Sequence, residues 1–124
     1  MANLGELERS VMDTLWSASE PLTVRQVHDQ LSLERTLAYT TVMTVLDRLT
    51  HKELVQRTRS GRAYTYVPAR TRDELTANLM HEALHSAGDD WTSALVHFAE
   101  TVSAQEAAAL REALQHVEED PPTS

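Results

Sequence analysis

The chain contains no cysteine, no long apolar run and no sharp nucleophile turn, and each absence removes a class of function. With zero cysteines in 124 residues there are no disulfides, no thiolate metal sites and no cysteine nucleophile. No apolar stretch approaches the roughly 20 residues of a membrane span, and no apolar core of an export signal is present, so the cytoplasm is the expected compartment. Serine, histidine and aspartate occur, but no strained strand-to-helix turn presents a serine for triad chemistry. What is present is a hydrophobic fraction of 41%, sufficient for a globular core. The length fits one domain, or a small domain with an interaction appendage.

An overall surplus of positive charge is also lacking, since the formal net charge is −8. The total conceals an asymmetry. Residues 1–70 hold nine Lys/Arg against eight Asp/Glu, whereas residues 71–124 hold two against eleven. Between positions 47 and 72 seven cations (Arg48, Lys52, Arg57, Arg59, Arg62, Arg70 and Arg72) face only Asp47 and Glu53. A phosphate senses charge within a Debye length of roughly 10 Å, so a basic surface on an acidic body is compatible with nucleic acid.

Taken in order, the chain reads as mainly α with a small β-wing. Asn3, with Glu6 three residues on, has the pattern of a capping box for a first helix, whose apolar stripe is Leu4, Leu7, Val11, Leu15 and Trp16. Thr23-Val-Arg-Gln26 repeats the pattern and opens a short helix with Val24, Val27 and Leu31 inward. After a loop from Ser32 to Thr36, Val42, Val45, Leu46 and Leu49 recur at helical spacing, making one buried stripe. Val55–Arg59 and Ala63–Val67 then read as strands around a Ser60-Gly61-Arg62 turn, where Gly61 supplies a positive φ. Helix, helix, turn, helix and two strands is the order of a winged helix-turn-helix, and we place this DNA-binding domain at residues 1–70.

Residues 71–124 form a second segment of three amphipathic helices with a frayed tail from Glu118. Thr71-Arg-Asp-Glu74 caps the first of them, Gly88-Asp-Asp90 breaks it, and Ser103-Ala-Gln-Glu106 caps the last. Without a sheet of their own these helices bury little, so a twofold dimer is expected, through Leu75, Leu79, Ala83, Trp91, Leu95, Phe98, Val102, Leu110 and Leu114. The alternative is that they fold back on the first domain as a monomer.

The face of the third helix opposite its buried stripe carries short hydroxyls and one thioether. Tyr39, Thr40, Thr41, Met43 and Thr44 are the expected base-facing residues, because threonine offers bases a hydroxyl and thymine a methyl. Arg48, Lys52, Arg59 and Arg62 are the expected phosphate contacts, one wing arginine reaching toward the minor groove. The bland readings are a partly exposed core helix and a solvated basic hairpin.

The motifs Leu4-Gly-Glu-Leu-Glu8, Val11-Met12, Leu15-Trp16, Thr23-Val-Arg-Gln-Val27, Tyr39-Thr-Thr-Val-Met-Thr-Val-Leu-Asp-Arg-Leu49 and Tyr64-Thr-Tyr-Val67 together resemble the BlaI/MecI penicillinase-repressor family. The similarity is closest to actinobacterial members and runs from Leu4 to Val117. The resemblance implies a dimeric winged-helix repressor of palindromic operators at β-lactamase or related resistance genes, dimerised by the helices from about Thr71 onward. It implies a partner too, a membrane-bound sensor whose cytoplasmic zinc protease inactivates the repressor. In the family the cut falls in the middle helix of the dimer domain, and Ser93-Ala-Leu-Val-His-Phe98 matches the surrounding motif, so the corresponding bond is His97–Phe98. The chain departs from the staphylococcal members in two places, with His97 where they carry Asn and Ala38 where they carry a capping serine. Without that serine the first amides of the third helix are left for a phosphate or for capping by Thr36. The copper-responsive branch, marked by a C-terminal cysteine cluster, is excluded.

One motif points elsewhere. His81-Glu-Ala-Leu-His85 matches H-E-x-x-H, which on a helix places two imidazoles on one face with Glu82 as a base. A zinc hydrolase would need a third ligand, for which His97 and Glu100 are nearest, and a cleft for which little chain remains. No catalytic residue and no cofactor are therefore assigned, and His81 and His85 are kept as an adventitious metal pair. Two alternatives to the repressor are such a hydrolase and a helical dimer that binds only protein partners.

Overall fold

In a computed structural model, residues 4–120 are described. The elements are α1 (Glu6–Ser17), β1 (Leu22–Thr23), α2 (Val24–Leu31), α3 (Tyr39–His51), β2 (Val55–Ser60), β3 (Ala63–Pro68), α4 (Arg72–His85), α5 (Trp91–Thr101) and α6 (Ala104–Glu119), with a single 3-10 turn at Gly88–Asp90. The chain divides into two compact units, residues 1–80 and 81–124.

The first unit is a winged helix. Val11, Met12 and Leu15 of α1, Val24, Val27 and Leu31 of α2, and Val42, Val45, Leu46 and Leu49 of α3 form one buried core, closed by Leu22, Val55 and Tyr66 of the sheet. Leu4, Leu7 and Trp16 pack at its edge. The sheet is antiparallel in the order β1-β3-β2, with Leu22 opposite Tyr66 and Arg59 opposite Tyr64. Sequence periodicity does not disclose β1, which is two residues long and ends where Thr23 becomes the cap of α2.

Local chemistry sets the ends of the helices. Thr23 accepts from the Gln26 amide and Gln26 Oε1 accepts from the Thr23 amide, the reciprocal capping box expected. The Asn3 cap lies outside the described residues. Gly5 is the N-cap of α1, its amide donating to Glu8 Oε1 at 3.0 Å. The end of α3 is a Schellman motif: Leu54 N donates to Leu49 O at 3.0 Å and Glu53 N to Thr50 O at 3.0 Å. This places Glu53 at φ 63, a conformation usually given to glycine. The motif turns the chain directly into β2, so the wing leaves the recognition helix within three residues.

The first turns of α4 belong to this unit. Thr71 and Glu74 form their capping box. Trp16 Nε1 donates to Arg70 O at 2.9 Å, and the Arg9 and Arg72 guanidiniums lie 5.5 and 4.7 Å from its ring centre. Arg72 also pairs with Asp13 at 2.8 Å. Leu75 is already buried within one chain.

In the second unit α6 starts at the expected box of Ser103 and Glu106, and positions 121–124 of the tail lie outside the described residues. No residue of α5 or α6 is buried. Trp91, Leu95, Val96 and Phe98 on α5, and Leu110, Leu114 and Val117 on α6, are each 42–59% exposed. Among the described residues no helix is long and apolar enough to cross a membrane.

Candidate nucleic-acid interface

The site is built on α3, which buries Val42, Val45, Leu46 and Leu49 and thereby turns Tyr39, Thr40, Thr41, Met43, Thr44, Asp47, Arg48 and His51 outward. All five residues expected to face bases are exposed, spread over about 200° of the helix from Tyr39 beside α2 to Thr41 beside the start of α1. The Thr44 hydroxyl donates to Thr40 O at 2.9 Å. Its proton is committed to the helix, so Thr44 presents an acceptor lone pair and a methyl group outward. No side chain caps α3, and neither Ala38 nor Thr36 supplies one. The Ala38 carbonyl instead accepts from the Thr41 and Val42 amides at 3.1 and 3.3 Å.

The start of α3 is steadied from α2. His28 Nε2 donates to Leu37 O at 2.7 Å, and its ring meets the Tyr39 ring edge-on at 5.9 Å. Arg25 lies over the same tyrosine at 5.8 Å. The sequence does not single out Arg25, because nothing in its own spacing shows that α2 brings it against Tyr39.

The wing carries its arginines on the sheet face that is buried at the base. Strand register puts Val55, Arg57 and Arg59 on one face with Tyr66 and Tyr64, and Tyr66 is 2% exposed while Tyr64 is 37% exposed. Beyond Tyr66 the core ends, so the same face continues outward as a basic surface. Arg57 stacks on Tyr64 at 4.4 Å and pairs with Asp47 of α3 at 3.8 Å, an exposed contact between the wing and α3. Burial pushes the Tyr66 hydroxyl above its ordinary pKa, with the nearby Arg57 pulling the other way. Arg59 also lies over Tyr64, at 5.8 Å. Gly61 takes φ 65 at the tip, where Arg62 is exposed and, among the described residues, has no salt-bridge partner.

The expected phosphate contacts therefore differ in availability. Arg48, Arg59 and Arg62 are exposed and, among the described residues, have no carboxylate in salt-bridge contact. Lys52 donates to Glu8 Oε2 at 2.8 Å, against a carboxylate whose side chain is only 13% exposed. Burial alone would raise the Glu8 pKa. The hydrogen bonds from Lys52 and the Gly5 amide, with the charges of Lys52 and Arg48, outweigh it and hold Glu8 below the ordinary glutamate range. A phosphate role for Lys52 requires giving up this pair. Between the start of α1 and α3 lies a shallow hollow of about 460 Å³, lined by Glu6, Glu8, Thr40, Thr44 and Arg48 among others.

In the second unit His97 and Phe98 are exposed at the middle of α5. His81 and His85 lie on α4 with ring centres 6.0 Å apart. Among the described residues no group of three His, Cys, Asp or Glu side chains is placed to hold a metal ion. The third ligand that a zinc hydrolase needs is therefore not assembled by His97 or Glu100.

Residues 4–116 match the family model described as penicillinase repressor. The chain is 58% identical over 120 residues to the transcriptional regulator BlaI of Mycobacterium tuberculosis, covering 95% of this chain and 87% of that one. Among solved structures it is similar to the DNA-binding domain of the repressor BlaI, at 26% identity and TM-score 0.53 over 58% of this chain and 87% of that domain. Bacillus licheniformis BlaI in complex with the blaP half-operator aligns over the same shares, at 26% identity and TM-score 0.50. The chain in the complex structure of hsRosR-S4, at 18% identity and TM-score 0.53, shares the fold over 88% of this chain and 94% of that one.

Proposed function

The chain belongs to the penicillinase repressor family, a family of transcriptional regulators and not of enzymes, and on that premise we propose how its surfaces divide the work of repression. The winged unit binds operator DNA. Tyr39, Thr40, Thr41, Met43 and Thr44 face base edges in the major groove, while Arg48, Arg59 and Arg62 hold phosphates. Lys52 joins them where a phosphate displaces Glu8. The observation that carries this reading is the shared core, in which Val42, Val45, Leu46 and Leu49 of α3 are buried with Val55 and Tyr66 of the sheet and so hold a basic wing at a fixed offset from a hydroxyl-faced helix. A rigid offset between the two lets phosphate contacts set the register of base contacts. Binding of the promoter upstream of its own gene, unaffected by chelator, is the expected mobility-shift result; no shift at low salt would remove the proposal.

The helices from about Thr71 onward act as the dimerisation domain. Trp91, Leu95, Phe98, Leu110 and Leu114 are exposed in one chain, and a second copy supplies the same apolar surface to cover them. Ala83 and Val102 of the second unit and Leu79 of the first are further residues of the proposed set, whereas Leu75, already covered, adds little. Two heads on a palindromic operator gain affinity through effective concentration. Phe98→Asp is expected to shift sedimentation from dimer to monomer with the winged unit still folded, and a dimer that persists would argue against this face.

The proposed upstream partner is a membrane-bound sensor protease acting in the cytoplasm in response to a β-lactam or related signal. Its target is the His97–Phe98 bond, which sits inside α5. A cut there splits the helix that carries Trp91, Leu95 and Phe98, so it dismantles the dimer face and leaves the reading heads intact but separate. Resistance or related genes are the proposed targets of repression.

A further inference from the structure

We propose that His81 and His85 form a two-imidazole site for a divalent transition-metal ion, and that the bound ion staples the last turns of α4. The site needs neither DNA binding nor dimerisation, so its test is independent of both.

The spacing of four residues puts the two rings one above the other on the helix. Their centres are 6.0 Å apart with ring planes 31° apart, and both side chains are exposed. With metal–nitrogen bonds of about 2.0–2.1 Å, two adjacent ligands would bring the ring centres to roughly 5 Å. The rings must close by about 1 Å, which free surface rotamers reach by a small rotation. Among the described residues neither imidazole is engaged in a hydrogen bond or salt bridge, so no partner has to be displaced.

Two nitrogen ligands without a third protein ligand define the class of ion. Borderline ions that accept imidazole fit, in the order copper over nickel, with zinc below copper. Water would complete the shell, so the ion exchanges readily and the site is not a catalytic zinc centre.

The helix there is short of other support. Leu75 is the one buried residue of α4, and the turns after it are held mainly by their own hydrogen bonds. Those turns carry the chain from the first compact unit, which ends at Met80, into the second. At 100° per residue the histidine pair lies about 140° round the helix from the Leu75, Leu79 and Ala83 stripe. The pair therefore remains on the opposite face when that stripe is covered.

The test uses the full chain and the metal alone. Calorimetric titration with Cu²⁺ and Ni²⁺ is expected to show one ion per chain, with copper tighter. His81→Ala or His85→Ala removes one of only two protein ligands and should weaken binding by roughly tenfold or more, about the loss of 1.4 kcal/mol, and His97→Ala should leave it unchanged. Because alanine is the best helix former, these surface variants keep the fold. With free metal tenfold above its Kd, amide protection in residues 76–85 should rise about elevenfold, the factor by which binding favours the closed helix. Equal affinity in the double variant would overturn the site, and binding with no added protection of α4 would overturn the staple.

Discussion

Arg62 offers the cleanest measurement of what the wing contributes. It stands next to Gly61 at the hairpin tip, exposed, with no carboxylate in salt-bridge contact among the described residues. Its removal therefore leaves the core and the Asp47–Arg57 link untouched. If Arg62 neutralises one phosphate, Arg62→Ala on a half-operator duplex should reduce the slope of log Kobs against log salt by about 0.9. Raising salt fourfold, from about 50 to about 200 mM, changes log salt by about 0.6, so one lost contact changes the salt effect about 3.5-fold. On a full palindrome bound by two heads the slope should change by about 1.8. The loss should be the same for operator and unrelated duplexes, because a phosphate carries no sequence. Fluorescence anisotropy titrations at four or five salt concentrations, for both chains and both duplexes, give all these quantities. An unchanged slope would remove the wing tip from the interface, and a loss confined to the operator would make Arg62 a base reader.

Three further outcomes follow from particular contacts. Thr44→Ala should relax preference at one base-pair position by about 1 kcal/mol while Thr44→Val, which keeps the outward methyl, retains it if thymine is the base read; equal loss on every operator variant would argue against direct readout. Glu53→Gly should raise the urea midpoint, by about 0.5–1 kcal/mol of stability, since Glu53 sits at φ 63 where glycine carries no steric penalty; a lower midpoint would show that the glutamate side chain contributes more than its strain costs. Glu8 has its pKa depressed in the folded state, so its contribution is fully present above the unfolded value and is lost as pH falls through the folded one. Glu8→Gln should therefore flatten the decline of stability below about pH 4.3, and identical acid profiles for the two chains would refute the pairing.

The parts of the fold legible in the sequence are those whose causes lie within a few residues. The stripe Val42, Val45, Leu46 and Leu49 is one face of one helix. The boxes Thr23/Gln26, Thr71/Glu74 and Ser103/Glu106 each need only a residue and its third neighbour, and all three formed as read. The hairpin required only a glycine between alternating strands. What escaped depends on distant pairing. β1 exists because Leu22 meets Tyr66 across the sheet. Lys52 reads as a free cation until the fold brings Glu8 to it from 44 positions away. Arg57 belonged to the visible basic cluster, but its link to Asp47 depends on where the wing turns after Glu53. The same limit applies to Leu75, whose spacing fits a dimer stripe although the single chain already buries it.

These long-range pairs bear on how such a head would be released from DNA. Near α3, Lys52 is matched by Glu8, Arg57 by Asp47 and Arg35 by Glu6 at 3.8 Å. Each matched cation has less counterion release to offer a phosphate, because part of its charge is already neutralised within the protein. The exposed remainder around α3 and the wing, Arg25, Arg48, Arg59 and Arg62, would give one head a shallow salt dependence and a modest hold on any duplex. The acidic second segment, with two cations against eleven anions, adds no attraction of its own. Under the dimer reading, tight binding then comes from joining two heads and not from the strength of either. A single cut at His97–Phe98 would lower operator affinity by the whole effective-concentration factor, of order 10²–10⁴. No reading residue would have to change. Under the same reading the internal pairing of the head's cations would be needed, because a strongly basic head would stay on DNA alone after the dimer came apart.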